Sequence, residues 1–439
     1  MVEQNLKETS FGFIPEDWEL KPLNELGEVT GGTTPKRSNP EFWGGEIPWL
    51  TPSEITDNIA NRVDETKEYL TEMGLDSCSV KVLPPGTVML TSRATIGECV
   101  INEVPMATNQ GFANIICDNE KIYNHFLLYL LEKISPRLEA LAGGSTFLEI
   151  SRTSVRSLNV PVPPLPEQKK MADILSSVDK AIGKTDEIIE KTEKLKKGLM
   201  QKLLTKGIEH DEFKETILGT IPQSWEIKQM RNICNKITDG THDTPPLKDN
   251  GYPFVTAKNI TNGKLDFSDC NYVSSEEHKK IISRSKPEQG DILFTHIGTI
   301  GEVVEVDVNF EFSIKNVALF KPDNNQVKSR YFKFSLESNI VQNFIQRILQ
   351  GGVQQYLSLK TLRGLNVPVP PLQEQKKIAS ILSSVDKKIQ KEKEYKEKLE
   401  HLKKGLMQKL LTGEVRVEVD EDEYAQIEQI EQVEEAAGD

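Results

Sequence analysis

Two glycine- and threonine-rich runs carry residue types that can meet a polar ligand through both backbone and side chain. They are Gly31-Gly32-Thr33-Thr34-Pro35-Lys36-Arg37 and Asp239-Gly240-Thr241-His242-Asp243-Thr244-Pro245. Glycine lets a backbone approach a phosphate or a base edge closely, and Thr, Lys and Arg add hydrogen bonds there. The same composition also makes ordinary turns. Thr91-Ser92-Arg93 and Thr295-His296 follow short β-rich runs. An Arg at such a place can fork onto guanine, and a His can donate or accept at a base edge; a salt bridge or a plain loop contact is the alternative. Ser145-Thr146 after Gly143-Gly144 and Gln354-Gln355 after Gly351-Gly352 are polar pairs presented by glycine turns. Gln has the geometry to bond adenine twice, whereas Ser145 and Thr146 equally suit helix capping.

Chemistry of other kinds has little support. There is no G-x-x-x-x-G-K-[ST] loop, no G-x-G-x-x-G at a strand-to-helix turn and no H-E-x-x-H, which leaves ATP, dinucleotides and zinc without a home. The six histidines are scattered, and the five cysteines are odd in number with no C-x-x-C pair. Buried reduced thiols are expected, with no disulfide framework, no metal site and no catalytic residue. Hydrophobic residues at 37% and charged residues at 28% describe a globular protein. No apolar run is long enough for a membrane span and the N-terminus is too polar for a signal-peptide core, so a cytoplasmic protein is expected. The net charge of −13 is concentrated in residues 413–439, which hold eleven acidic groups and Arg416. The body is near neutral, and the acidic run reads as a solvated tail.

The elements that must position these residues follow from an internal repeat. Residues 158–180 recur at 365–387 with 20 of 23 identities at an offset of 207, and LKKGLMQKLLT at 195–205 recurs unchanged at 402–412. Ile14, Pro15, Trp18 and Glu19 map onto Ile221, Pro222, Trp225 and Glu226 at the same offset. Between these blocks the copies diverge, keeping sparse anchors such as Thr95-Ile96-Gly97 and Thr299-Ile300-Gly301. Each copy is a fixed frame carrying a variable insert. The inserts read as α+β, with strands near 86–92 and 290–296 and helices near 123–134 and 330–349. In the frame, prolines precede about forty proline-free residues that Gly207 terminates, giving a helix on the order of 60 Å that must project. Its apolar stripe runs Leu175, Val178, Ile182, Ile189, then shifts phase to Leu195, Leu199 and Leu203. The second copy repeats it with Leu382, Val385, Ile389, Leu399, Leu402, Leu406 and Leu410. The two stripes are expected to pair, with Thr185 and Glu392 as imperfections in the seam.

The repeated PVPPLPEQKKMADILSSVD and PVPPLQEQKKIASILSSVD, the repeated LKKGLMQKLLT, and I-P-x-x-W at Ile14–Trp18 and Ile221–Trp225 resemble the specificity subunits of type I restriction-modification systems. The resemblance covers all but the acidic tail. It implies two pseudo-symmetric α/β target recognition domains, residues 1–157 and 208–364, separated by two long helices pairing as an antiparallel coiled coil. The helices lie in the repeats 158–207 and 365–412, and 413–439 is a disordered tail. It further implies that each domain reads one half of a split double-stranded DNA target, while the helices fix the gap. The expected DNA contacts are Gly32, Thr33, Thr34, Lys36, Ser92, Arg93, Ser145 and Thr146 in the first domain. In the second they are Thr241, His242, Thr244, Lys258, Thr295, His296, Gln354 and Gln355. The implied partners are two methyltransferase subunits and the restriction subunits, which would supply S-adenosylmethionine, ATP and Mg2+ chemistry that this chain lacks. A scaffold whose inserts bind proteins is the alternative reading, and an enzyme in its own right is a third.

Overall fold

The computed structural model describes residues 5–55, 61–93, 95–143, 148–261, 263–350 and 356–419. The chain divides into two units: residues 1–187 with 393–439, and residues 188–392. Both ends of the chain belong to the first unit.

Unit 1 is built on a five-stranded sheet of β1 (Gly27–Gly31), β2 (Arg62–Val63), β3 (Val88–Thr91), β4 (Cys99–Asn102) and β5 (Phe112–Cys117), in the order β1-β5-β3-β4-β2. Alternation along β3 explains why it is central. Val88 and Leu90 enter one core with Phe126, Leu127 and Leu130 of helix α1 (Asn124–Lys133), and Met89 enters another with Leu50, Val100 and Phe112. The helices α2 (Ser135–Leu141) and α3 (Arg152–Arg156) follow, and then α4 (Leu165–Leu203).

Unit 2 repeats this plan with β6 (Cys234–Asp239), β7 (Ile292–Thr295), β8 (Val303–Glu305) and β9 (Val317–Pro322), ordered β6-β9-β7-β8. Ile292 and Phe294 face one core and Leu293 the other. Its helices are α5 (Ser275–Ser285), α6 (Ser329–Glu337), α7 (Asn339–Gln350) and α8 (Leu359–Gly364), and α9 (Leu372–Leu410) starts in unit 2 and ends in unit 1. The single helix expected near 330–349 is thus two. Ser338 is extended, with φ −67° and ψ 146°, and its hydroxyl bonds the Ser335 carbonyl at 2.6 Å while accepting from the Val341 amide at 3.4 Å. That local side-chain competition with the helix ladder sets the break.

The frame accounts for the sequence identity between copies. Trp18 and Trp225 are fully buried, and each donates its indole N–H at 3.1 Å to a glutamate in the first turn of a long helix, Glu167 or Glu374. The next residues, Gln168 and Gln375, are buried too. Each accepts a backbone amide at 2.8 Å, from Tyr123 or Lys328, and donates to the proline carbonyl five residues back. The Glu-Gln pair of P-L-x-E-Q-K-K is therefore a connector between insert and helix.

Each long helix has 39 residues, about 58 Å of α-helix. In unit 1, Asp179 and Asp186 of α4 meet Lys403 and Lys396 of α9 at 3.0 and 2.7 Å, an order that makes the helices antiparallel. In unit 2, Asp386 of α9 meets Lys196 of α4 at 2.6 Å, the same pair with the copies exchanged. The predicted phase shift does not occur. The seam of α4 continues in one heptad register through buried Thr185, Ile189 and Thr192 to Lys196, Leu199 and Leu203, while Leu195 and Leu402 are half exposed outside it.

Both helices stop at a glycine in the left-handed region, Gly207 at φ +67° and Gly413 at φ +72°. The tail expected from residue 413 is also corrected. Residues 413–419 are placed within unit 1, because buried Glu167 needs a cation and Arg416 supplies it, while Arg416 also bonds Asp17 at 2.8 and 2.9 Å. Residues 420–439 lie outside the described residues. Among the described residues no helix is long and apolar enough to cross a membrane, and the five cysteines are free.

Candidate nucleic-acid interface

In unit 1 the sheet gathers most of the candidate residues at one end. Gly31, the last residue of β1, stands opposite Ala113, and Thr91, the last of β3, stands opposite Phe112. The segments Gly32–Arg37, Ser92–Arg93 and Thr108–Gly111 therefore leave the sheet together. The first loop is held to the third: the Thr33 amide donates to the Thr108 carbonyl at 3.0 Å, and Thr34 bonds Gln110. A Cβ on Gly32 would sit 2.1 Å from the Thr108 carbonyl oxygen, so only glycine allows this approach. Trp49 donates to the Thr33 carbonyl at 3.1 Å. Arg37 lies over the rings of Trp43 and Trp49 at 4.3 and 4.8 Å and pairs with Glu68. Lys36 is exposed, with no side-chain partner among the described residues. Arg93 is half exposed and bonds Glu149 at 2.8 Å. Ser92, expected as a contact, is buried. Its amide and carbonyl bind Gly111 and Ile150, which makes it an internal strut. Ser145 and Thr146 lie outside the described residues.

Unit 2 places its loops at the corresponding end. Thr241 pairs by backbone with Ile314 and Asn316 just ahead of β9. His242 is exposed and lies between the buried Asp239 carboxylate at 3.1 Å and the Asn316 side chain at 3.0 Å, and Arg284 of α5 also pairs with Asp239. Thr244 accepts from Lys315, and Lys258 is exposed and bonds Asp269 at 3.1 Å. A cavity of about 250 Å³ opens here, lined in part by Thr241, Asp243, Glu277, Lys280 and Arg284. Thr295 and His296 are buried, against expectation. The Thr295 hydroxyl accepts the Glu302 amide at 3.0 Å, and His296 Nδ1 lies 2.8 Å from the Leu357 carbonyl. Burial holds the His296 pKa below its ordinary value, so the ring is neutral, its Nδ1–H donates, and its Nε2 has no partner among the described residues. Gln354 and Gln355 fall outside the described residues. Among the described residues no three His, Cys, Asp or Glu side chains are grouped to hold a metal ion.

Residues 15–194 and 222–401 both match the type I restriction modification DNA specificity domain. The chain belongs to the type I restriction-modification specificity subunits. The MjaIX specificity subunit of Methanocaldococcus jannaschii is 29% identical over 428 residues, covering 95% of this chain and 98% of the relative. The EcoKI specificity subunit of Escherichia coli is 23% identical over 391 residues, covering 84% and 82%. The crystal structure of an S subunit from M. genitalium shares the fold at TM-score 0.59 and 18% identity, covering 93% of this chain and 98% of that one.

Within this specificity subunit, residues that motif reasoning passed over do much of the positioning. Arg156 of α3 donates from Nε and Nη2 to the Val29 carbonyl of β1 at 3.2 and 2.8 Å, and Arg363 of α8 donates from Nη2 to the Ile237 carbonyl of β6 at 2.8 Å. Their repetition at the offset of 207 was the signal available for finding them. Arg152, one helical turn before Arg156, is exposed and lies across Gly31, and it had no such signal because its counterpart is Leu359.

Proposed function

We propose that this subunit reads a split, asymmetric duplex DNA target, one half-site per unit, and recruits the catalytic subunits while performing no chemistry itself. The observation that carries the reading is the contrast between frame and sheet end. The two copies share their tryptophan, glutamate, glutamine and arginine anchors, yet the loops leaving β1 and β6 keep only Gly32/Gly240 and Thr33/Thr241 in common and differ from Thr34 and His242 onward. A common mount with different reading heads suits two different half-sites whose spacing the helices set. The candidate contacts then divide by chemistry, with Lys36 and Lys258 toward phosphate and the threonine loops toward backbone or base edges.

Two methyltransferase subunits fit this arrangement, because one surface presented twice recruits two identical partners. Ile188 and Leu195 on α4, and Tyr395 and Leu402 on α9, are exposed at equivalent positions seven residues apart, as a helical partner requires. S-adenosylmethionine would belong to those subunits, and ATP and Mg2+ to the restriction subunits, in the cytoplasm. A body of near-neutral charge leaves much of the phosphate clamp to the partners. The test is selection from randomised duplexes by the complex that co-purifies with the chain. A split motif with a fixed gap is expected, and exchanging residues 11–157 for another insert is expected to change one half only. A continuous motif would overturn the two-domain reading, and no enrichment would favour the scaffold.

A further inference from the structure

Three arginines converge on the loop end of the unit 1 sheet, and two are already engaged. Arg37 is paired with Glu68 and stacked on two indoles, and Arg93 is paired with Glu149. Arg152 is different. It is exposed, and among the described residues no hydrogen bond or ion pair occupies its guanidinium.

Its position is nonetheless fixed by the fold. Helix α3 is capped by the Ser151 hydroxyl, which accepts the Ser154 amide at 3.0 Å, and is anchored by buried Val155 and by the Arg156 bonds to Val29. Arg152 lies four residues before Arg156 on the same helical face, and Gly31 lies two residues beyond Val29 on the same strand face. The side chain of Arg152 therefore crosses β1 at Gly31. A Cβ on Gly31 would come within 2.8 Å of Arg152 Cδ and 2.9 Å of Nη1, so the glycine makes the seat on which the guanidinium lies.

The pseudo-symmetric positions in unit 2 are Leu359 for Arg152 and Asp239 for Gly31. The clamp that places this pair is repeated, and the pair itself is not. A phosphate contact needs only charge and reach, which exposed Lys36 of the same loop run offers. A planar fork held by packing suits bidentate recognition of guanine O6 and N7. We propose that Arg152 is a specificity-determining residue of unit 1 that reads a guanine in its half-site, an inference that rests on the DNA-reading function above.

The experiment is the same randomised-duplex selection, made with the full-length chain in its co-purifying complex and repeated for Arg152→Ala, Arg152→Lys, Gly31→Ala and Lys36→Ala. The wild type is expected to fix guanine at one position of one half-site. Arg152→Ala is expected to lower discrimination there by roughly 10- to 100-fold, leaving the other half-site intact as an internal check of folding. Lysine is not expected to restore it, because it lacks the fork. Gly31→Ala keeps the arginine but displaces its flexible end, and is expected to relax the same position. Lys36→Ala is expected to weaken all sequences alike and to reduce the salt slope by about one. An unchanged motif with Arg152→Ala would overturn the proposal, as would uniform weakening with the guanine still fixed, the behaviour of a phosphate contact. Absence of any split motif in the wild type would instead remove the DNA-reading function on which it rests.

Discussion

His296 donates from Nδ1 to the Leu357 carbonyl and is kept neutral by burial, which makes its environment measurable through pH. Its folded pKa lies below the unfolded value of about 6.5. As pH falls through that value, the unfolded chain takes up a proton that the folded chain refuses, so stability drops toward acid and is fully present above the unfolded pKa. Asn at this position keeps a donor near the place of Nδ1 without the titration. Denaturant melts of His296→Asn between pH 7 and pH 5 are expected to show a flatter acid slope than the wild type; equal slopes would mean that His296 is not held neutral. The residue also shows where sequence reading ends. Its type suits base contact, and the run GDILFTH revealed the strand before it, but nothing local records that its backbone binds Leu357, 61 residues away. The same holds for Ser92 and Thr295, whereas the close approach at Gly32 leaves a local mark, because the glycine there answers a steric demand.

The long helices were readable in length and in their glycine stops, because those depend on local propensity and backbone conformation. Their seam was readable in part: Leu175, Val178, Ile182, Ile189 and Leu203 lie on it as expected, but the positions that polar residues occupy were missed. Lys196, Lys396 and Lys403 lie at seam positions and reach Asp386, Asp186 and Asp179 with their ammonium groups. Counting only apolar residues moves the stripe onto Leu195 and Leu402. This difference has opposite consequences for substitutions of one chemical type. Leu175 and Leu382 are fully buried, so alanine at either is expected to cost about 2–5 kcal/mol in denaturant melts. Leu195→Ser and Leu402→Ser are expected to stay within about 0.5 kcal/mol of wild type, yet to reduce recovery of the methyltransferase subunit on co-purification. Losses of stability at Leu195 and Leu402 comparable to those at Leu175 would restore the phase-shifted seam.

The chain enters unit 1, passes through α4 into unit 2 and returns through α9, so each unit is closed by the segment that follows a long helix. In unit 2 that segment is Gly207–His210, where the Ile208 amide and His210 Nε2 reach Glu374 at 2.9 and 2.8 Å. In unit 1 it is Gly413–Arg416, and the Arg416 guanidinium is bonded to Glu167 and Asp17. The hydrogen bond from Arg416 holds the Asp17 carboxyl below its usual range. The two closures share a plan but differ in redundancy. Without His210, Glu374 keeps the Ile208 amide and the Trp225 indole; without Arg416, buried Glu167 keeps, among the described residues, only the Trp18 indole. Arg416→Ala is therefore expected to destabilise unit 1 by about 2 kcal/mol, below the 3–5 of a fully buried pair because Arg416 is one-third exposed. His210→Ala is expected to cost about 1 kcal/mol in unit 2. Calorimetry of both variants, with fluorescence of Trp18 and Trp225 to assign the transition affected, separates the two closures. Adding Glu167→Leu to Arg416→Ala removes the stranded carboxylate and is expected to recover part of the loss. Equal costs for Arg416→Ala and His210→Ala would show that residues 413–416 are no more essential to their unit than the linker is to its own.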